Sequence, residues 1–181
     1  MAKKEQQSQG GKAGSFWSSI LKEKTSLGLF VLLRLFIGYS FLMAGWGKYQ
    51  SDWLNPSPAV EPLAATLQKF MASPGALPGW YHDLLTEVVI PNAHLFGILI
   101  CLGEILVGAF LIIGLCTRLA GLLGAFLCLN YLFATAHITI AFKLENEAFV
   151  LSCLLIMLAG AGRAWGADWF LRRAFPKIPL W

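Results

Sequence analysis

Apolar and polar positions alternate along this chain on the scale of whole helices. Long apolar runs cover Ser26–Trp46, Ala93–Cys116, Leu119–Phe142 and Ala148–Gly162. A helix needs about 20 apolar residues to cross a bilayer, and all four runs are read as crossings, the last being short and open to extension at either end. The second and third meet at Cys116–Leu119, which leaves room only for a tight helical hairpin. Between the first two, the pattern breaks up. Pro56, Pro58, Pro62, Pro74, Pro78 and Pro91 divide the loop Gly47–Asn92 into short pieces. Within it, Pro62–Ala72 sets Leu63, Leu67, Phe70 and Met71 on one helical face, and Trp80–Val89 does the same with Trp80, Leu84, Leu85, Val88 and Val89. These predict short amphipathic helices that lie on the outer interface or cap the mouth of the molecule. A free substrate-binding domain is the alternative, but the loop has no strand pattern and is too short for an independent core. The expected fold is all-α: an integral membrane four-helix bundle with a long outer loop containing short amphipathic helices.

Composition supports the same class. Of 181 residues, 57% are hydrophobic and 13% charged, where a soluble domain carries roughly a quarter charged. The net charge of +4 then reads as topology rather than as a nucleic-acid surface. With both termini cytoplasmic, the inner side holds Lys3, Lys4, Lys12, Lys22, Lys24, Arg118, Arg163, Arg172, Arg173 and Lys177, against Lys48, Lys69 and Lys143 outside. That asymmetry predicts an N-in, C-in, multi-pass protein of the plasma (inner) membrane. Residues 1–25 are expected to form a polar, disordered cytoplasmic segment, too long a lead-in for a signal peptide, so the first crossing is expected to be an uncleaved anchor. The transmembrane domain spans 26–162, with its outer loop at 47–92. Residues 163–181 mix Trp165, Trp169, Phe170, Phe175 and Trp181 with Arg and Lys, as a cytoplasmic interfacial tail would.

Three strongly polar residues lie deep inside the apolar runs. Counted from the inner ends at 1.5 Å per residue, Arg34 lies roughly 12 Å deep, Glu104 roughly 18 Å and Asn130 roughly 16 Å. A charge at such depth costs several kcal/mol unless it is offset. The expectation is a buried Arg34–Glu104 pair with Asn130 as third member. Two roles remain open for it: a device that fixes packing, or the lining of a ligand or proton path.

A second polar set faces outward. His82, His94 and His137 map near Trp46, Lys48, Asp83 and Glu87. Their spacing matches no compact ligand motif, so neither a metal centre nor a bis-histidine haem is expected. Cys101, Cys116, Cys128 and Cys153 form no CxxC or CxxCH, which argues against a disulfide framework, attached haem or cysteine-held iron–sulfur cluster. A quinone head group, which needs hydrogen-bond donors, aromatic walls and access from lipid, suits His137, Trp46 and Lys48 better. Lys48 is also the outer cation best placed to attract a small anion. His94 and Arg118 complete the candidate quinone- or anion-binding set.

Three stretches carry a family likeness: "RLFIGYSFLMAGWGKY" with Arg34, Gly38, Gly45 and Lys48; "GEILVGAFLIIGLCTR" with Glu104, Gly108, Gly114 and Arg118; and "AGAGRAWGADWFLRR" with Gly160, Gly162, Arg163, Gly166 and Asp168. With the loop words "ALPGWY" and "IPNAHLF", residues 26–173 resemble the DoxX/DoxD family of four-helix membrane proteins, and most of all the DoxD-type small subunit of thiosulfate:quinone oxidoreductase. Arg34, Lys48, Glu104 and Arg118 fall on the family's charged positions; no catalytic residue follows from that. The resemblance implies a membrane subunit of a quinone-linked oxidoreductase. Thiosulfate would be oxidised to tetrathionate at the outer face, electrons would pass to quinone, and a second subunit or a homo-oligomer would be required. The alternative is a non-catalytic anchor or assembly partner of a redox or stress-response complex. A solute carrier is disfavoured by the small number of crossings and the lack of a discontinuous-helix signal.

Overall fold

The computed structural model describes residues 28–56, 61–73, 75, 77–163 and 165–174. The 1–25 segment lies outside the described residues. All regular structure among those residues is helical. Helix α1 is Gly28–Gln50, α2 is Pro62–Met71, and α3, Gly79–Leu84, runs on into a π turn at Leu85–Val89. Then come α4, Ala93–Ile113, α5, Thr117–Thr135, and α6, Ile140–Ala159. A 3-10 turn, Ala161–Arg163, leads to α7, Asp168–Ala174.

Helices α1, α4 and α5 are long and apolar enough to cross a bilayer. The fourth long helix differs from the expected Ala148–Gly162. It begins eight residues earlier, at Ile140, and takes in Lys143, Glu145 and Glu147. Correspondingly α5 stops at Thr135 instead of running to Phe142. The break has a local cause. Thr139 is extended (φ −147°, ψ 153°), and its side-chain oxygen accepts a hydrogen bond from the Phe142 N–H at 3.2 Å. A threonine N-cap of this kind starts a helix whatever the hydropathy around it. The α4–α5 hairpin turns on Gly114 (φ 75°) and Cys116 (φ 47°), just ahead of the predicted position.

The helices of the loop between α1 and α4 are α2 and α3, at the predicted places. Leu63 and Leu67 of α2, Tyr81 of α3 and Leu85 pack with Trp53, Ala93, Cys101 and Ala134 into one apolar cluster. The loop therefore covers one end of the long helices. On α3 the buried face is Tyr81 and Leu85, while Trp80 and Leu84, assigned to that face from the pattern, are exposed. A second cluster, Ile37, Phe41, Val107, Leu111, Cys128, Cys153 and Ile156 among others, fills the rest of the interior.

Contact between α1 and α4 is backbone on backbone. A Cβ added at Gly108 would stand 2.5 Å from the Leu42 nitrogen, and one at Gly38 would stand 3.0 Å from the Gly108 carbonyl oxygen. At Gly45 an added Cβ would meet Ile105 Cγ1 at 2.7 Å and the Ile105 nitrogen at 2.9 Å. Small residues at such crossings let dispersion and weak polar contacts act at short range. Gly108→Ala should therefore lower the thermal stability of the detergent-solubilised protein by about 1–3 kcal/mol, as overpacking does. Gly28→Ala, at a position with nothing within 4 Å, should leave it nearly unchanged. Equal melting temperatures for the two variants would refute the close-packing account.

Candidate functional site

Antiparallel packing of α1 on α4, with the glycines as its fixed points, decides which polar residues meet. Lys48 lies near the loop end of α1, three residues beyond Gly45. Its ammonium reaches across to Glu104, donating to Oε1 at 2.9 Å and Oε2 at 2.7 Å. The Tyr131 hydroxyl, from α5, donates to Oε1 of the same carboxylate. Three helices thus deliver an ammonium, a phenol and a carboxylate to one place. The Glu104 side chain is 1% exposed and that of Lys48 21%. The Trp53 and Tyr131 rings each lie 5.5 Å from Lys48 Nζ, close enough for cation–π attraction. Cys101, one turn from Glu104, donates a weak hydrogen bond from Sγ to the Gly45 carbonyl at 3.5 Å.

This arrangement corrects the expected Arg34–Glu104–Asn130 set. Arg34 is buried at the other end of α1, donating from Nη1 to the Ala161 carbonyl and from Nη2 to the Trp165 carbonyl, both at 3.1 Å. It stands against Gly114, whose added Cβ would come 2.5 Å from Arg34 Nη1. Leu42, which faces Gly108, is eight residues further along α1, about 12 Å of helix. Depths counted from the ends of apolar runs treated those ends as level, and the glycine register shows that they are not. Asn130 turns back on its own helix, with Nδ2 donating to the Phe126 carbonyl at 2.7 Å. Its own carbonyl accepts from Tyr81 Oη at 3.0 Å.

The five candidate quinone- or anion-binding residues do not form one site. Lys48 belongs to the triad just described. Trp46 is exposed and stacks on Tyr49, with ring centroids 5.3 Å apart. His94 is exposed at the start of α4. His137 approaches the Phe70 carbonyl with Nε2 at 2.9 Å and so ties α2 to the α5–α6 turn. Arg118 lies on the first turn of α5, beside Gly160 and away from the loop end. Among the described residues no three histidine, cysteine, aspartate or glutamate side chains are grouped closely enough to hold a metal ion. Tyr131 had no sequence signal of its own, since an aromatic in an apolar run reads as core, and Trp53 had none because it lies outside both amphipathic segments of the loop.

The far end carries a second polar knot. Asp168 is fully buried and accepts from the Cys116 N–H (2.6 Å), the Thr117 N–H (3.0 Å) and the Thr117 hydroxyl (2.6 Å). A carboxylate from α7 thereby caps the N-terminus of α5, where unpaired N–H groups and the helix dipole favour negative charge. The tail is thus more than an interfacial segment, although Trp165 and Phe170 are exposed as that reading requires.

The pairing has a direct test in stability. Lys48→Met leaves a buried carboxylate without its cation, which should cost about 3–5 kcal/mol. Adding Glu104→Gln should recover most of that loss in a thermal or denaturant melt. If the double variant is as unstable as the single, the two charges are not coupled. At the loop end, burial pushes the Tyr81 phenol from its usual 10 up to about 12. The neutral form is favoured by folding, so this stabilisation is complete below pH 10 and is lost as pH rises through about 12. Melts across that window should show a falling midpoint, and Tyr81→Phe should start lower by about 1 kcal/mol, for one lost hydrogen bond, and fall less. A parallel fall in both proteins would assign the alkaline loss elsewhere.

Compared with known proteins, the chain matches the family model described as "TQO small subunit DoxD" over residues 29–180. No solved structure matches it.

Proposed function

The chain belongs to the DoxD family, and on that premise we propose that it is the membrane subunit of a quinone-linked oxidoreductase, with thiosulfate as the outer electron donor and Lys48–Glu104–Tyr131 as the quinone site. The observation that carries the reading is the gathering of a cation, a phenol and a carboxylate beside the Trp53 ring, at the loop end of three apolar helices. An ammonium has three N–H donors, and two oxygens of Glu104 engage it. That leaves one N–H to hold a quinone carbonyl oxygen. The positive charge stabilises the oxygen as electrons arrive on the ring, and a proton then passes to it from Lys48 or Tyr131. Glu104 holds both donors in place and offers a carboxylate through which a spent donor is reprotonated. Trp53 supplies the flat apolar wall that a quinone ring needs.

In this reading α6 completes a four-helix bundle in the plasma membrane, with both termini cytoplasmic and the α2–α3 cap outside. Two thiosulfate anions join through a new S–S bond to give tetrathionate and release two electrons. One quinone takes those electrons with two protons and becomes quinol. The small-subunit character of the family implies a second subunit, which would hold thiosulfate. A non-catalytic anchor is the second reading. It is favoured by the mutual neutralisation of Lys48 and Glu104, which serves a structural tie equally well.

Thiosulfate-dependent reduction of decylubiquinone, measured on membranes containing the chain and its partner subunit, separates the two. Glu104→Gln should lower kcat by a factor of about 100 and Tyr131→Phe by about 10, within the range for lost proton-transfer groups. His94→Ala should be near wild type. Wild-type membranes that reduce no quinone with thiosulfate would sink the enzymatic reading. Variants that change only stability would leave the anchor.

A further inference from the structure

We infer that the protons consumed at the Lys48–Glu104–Tyr131 site enter from the loop end of the molecule, beside Trp53, with Glu61 as the residue that admits them. This rests on the quinone reading of that site. A quinone that becomes quinol removes two protons, so a site that donates them must be refilled from one side of the membrane or the other. The two directions out of the site are built very differently.

Toward the termini, the way is apolar and tightly closed. From Glu104 to Gly114 is ten residues of α4, about 15 Å of helix. That interval is filled by Val107 and Leu111 with Ile37, Phe41, Cys128, Cys153 and Ile156. Along the α1–α4 seam the backbones touch at Gly38 and Gly108, where even a methyl group would stand 2.5–3.0 Å from backbone or side-chain atoms. Water entry needs room for a molecule and polar partners to hold it, and this layer provides neither. The polar groups beyond it are engaged in folding: Arg34 holds the carbonyls of Ala161 and Trp165, and Asp168 caps α5.

Toward the loop the packing is also apolar, but small residues and one buried carboxylate oxygen interrupt it. Ala93, Gly97, Cys101 and Glu104 are the buried stripe of α4 that leads outward from the site. At Gly97 the missing side chain leaves a place 3.7 Å from Glu61 Oε1, 3.7 Å from Trp53 Cε3 and 3.7 Å from the Trp53 carbonyl. Glu61 therefore presses a carboxylate oxygen into the contact between α4 and the same tryptophan that flanks Lys48. That oxygen is buried and has no hydrogen-bond partner, an arrangement costly enough to call for a ligand of its own. A proton, or water carrying one, satisfies it. Lys48, at 21% exposure, is the more open member of the buried pair, and its ammonium lies 5.5 Å from the Trp53 ring. Protons pass from the loop-side medium to Glu61, past Trp53, and on to Lys48 and Glu104. If thiosulfate gives up its electrons on that same side, the overall reaction moves no net charge across the membrane.

The test uses sealed vesicles containing the chain with its partner subunit, loaded with pyranine, and given thiosulfate and decylubiquinone. Protease access to a C-terminal tag fixes which way the molecules face. Proton loss confined to the compartment facing the loop supports the route, and loss from the compartment facing the termini overturns it. If wild-type vesicles reduce no quinone, the quinone reading itself fails and takes the route with it, a result distinct from turnover with protons drawn from the wrong side. For Glu61, Glu61→Gln should slow turnover about tenfold without changing the KM for thiosulfate, while Glu61→Asp should keep most of the rate. A full rate in Glu61→Gln would remove Glu61 from the path, and an equal loss in Glu61→Asp would assign it a packing role instead.

Discussion

The separation between α1 and α4 is the constraint from which the rest of the arrangement follows. Glycine at 38, 45 and 108 lets the two backbones touch, and a touching pair of helices has little freedom to slide. Once Gly38 sits on Gly108, the position of every polar residue on the two helices is determined. Lys48 arrives at Glu104, and Arg34 arrives at Gly114. A slip by one turn, about 5.4 Å, would strand all of these charges in an apolar layer. The glycine contact and the ion pair thus select the same register, one by shape and the other by electrostatics. Agreement between such independent terms is what separates one packing from its near neighbours.

The two polar regions have different physical characters. At the end with the termini, charged and hydroxyl groups answer to backbone: carbonyls for Arg34, N–H groups for Asp168. Backbone groups do not titrate, so that region is fixed. In the Lys48–Glu104–Tyr131 set at the loop end, side chains answer to side chains, and every member carries a group that exchanges protons. Chemistry is expected where the hydrogen bonds join ionisable partners. It is not expected where they merely complete a helix end. The same contrast explains why an arginine, whose charge is permanent, serves the structural region and a lysine the reactive one.

Much of the architecture was legible in the sequence. The apolar runs locate α1, α4 and α5, and the proline-bounded segments locate α2 and α3. That Arg34 and Glu104 would be buried and compensated followed from the cost of charge in an apolar run. Their partners were misassigned because a run of apolar residues has vague ends. The spacing of the two stripes does not settle the pairing. Arg34, Gly38, Phe41, Gly45 and Lys48 fall on one helical face by their spacing of three and four, as do Gly97, Cys101, Glu104, Gly108 and Leu111. Matched at Gly38 and Gly108 in antiparallel sense, they set Glu104 opposite Phe41, midway between the two cations, and only the packed helices show that Lys48 is the one that reaches it. What no stripe reveals is Asp168, whose partners lie about 50 positions away in the chain, or Glu61, whose surroundings come from loop packing.

The cap on α5 has a consequence for how the protein is made. A chain emerging in order completes α5 well before residue 168 is synthesised. Until then the first turn of α5 lacks the carboxylate that caps it. The short helix α7 therefore acts as a completion signal. Its arrival closes the start of α5, and a product cut off before it would leave that helix end open to the cell's quality-control machinery.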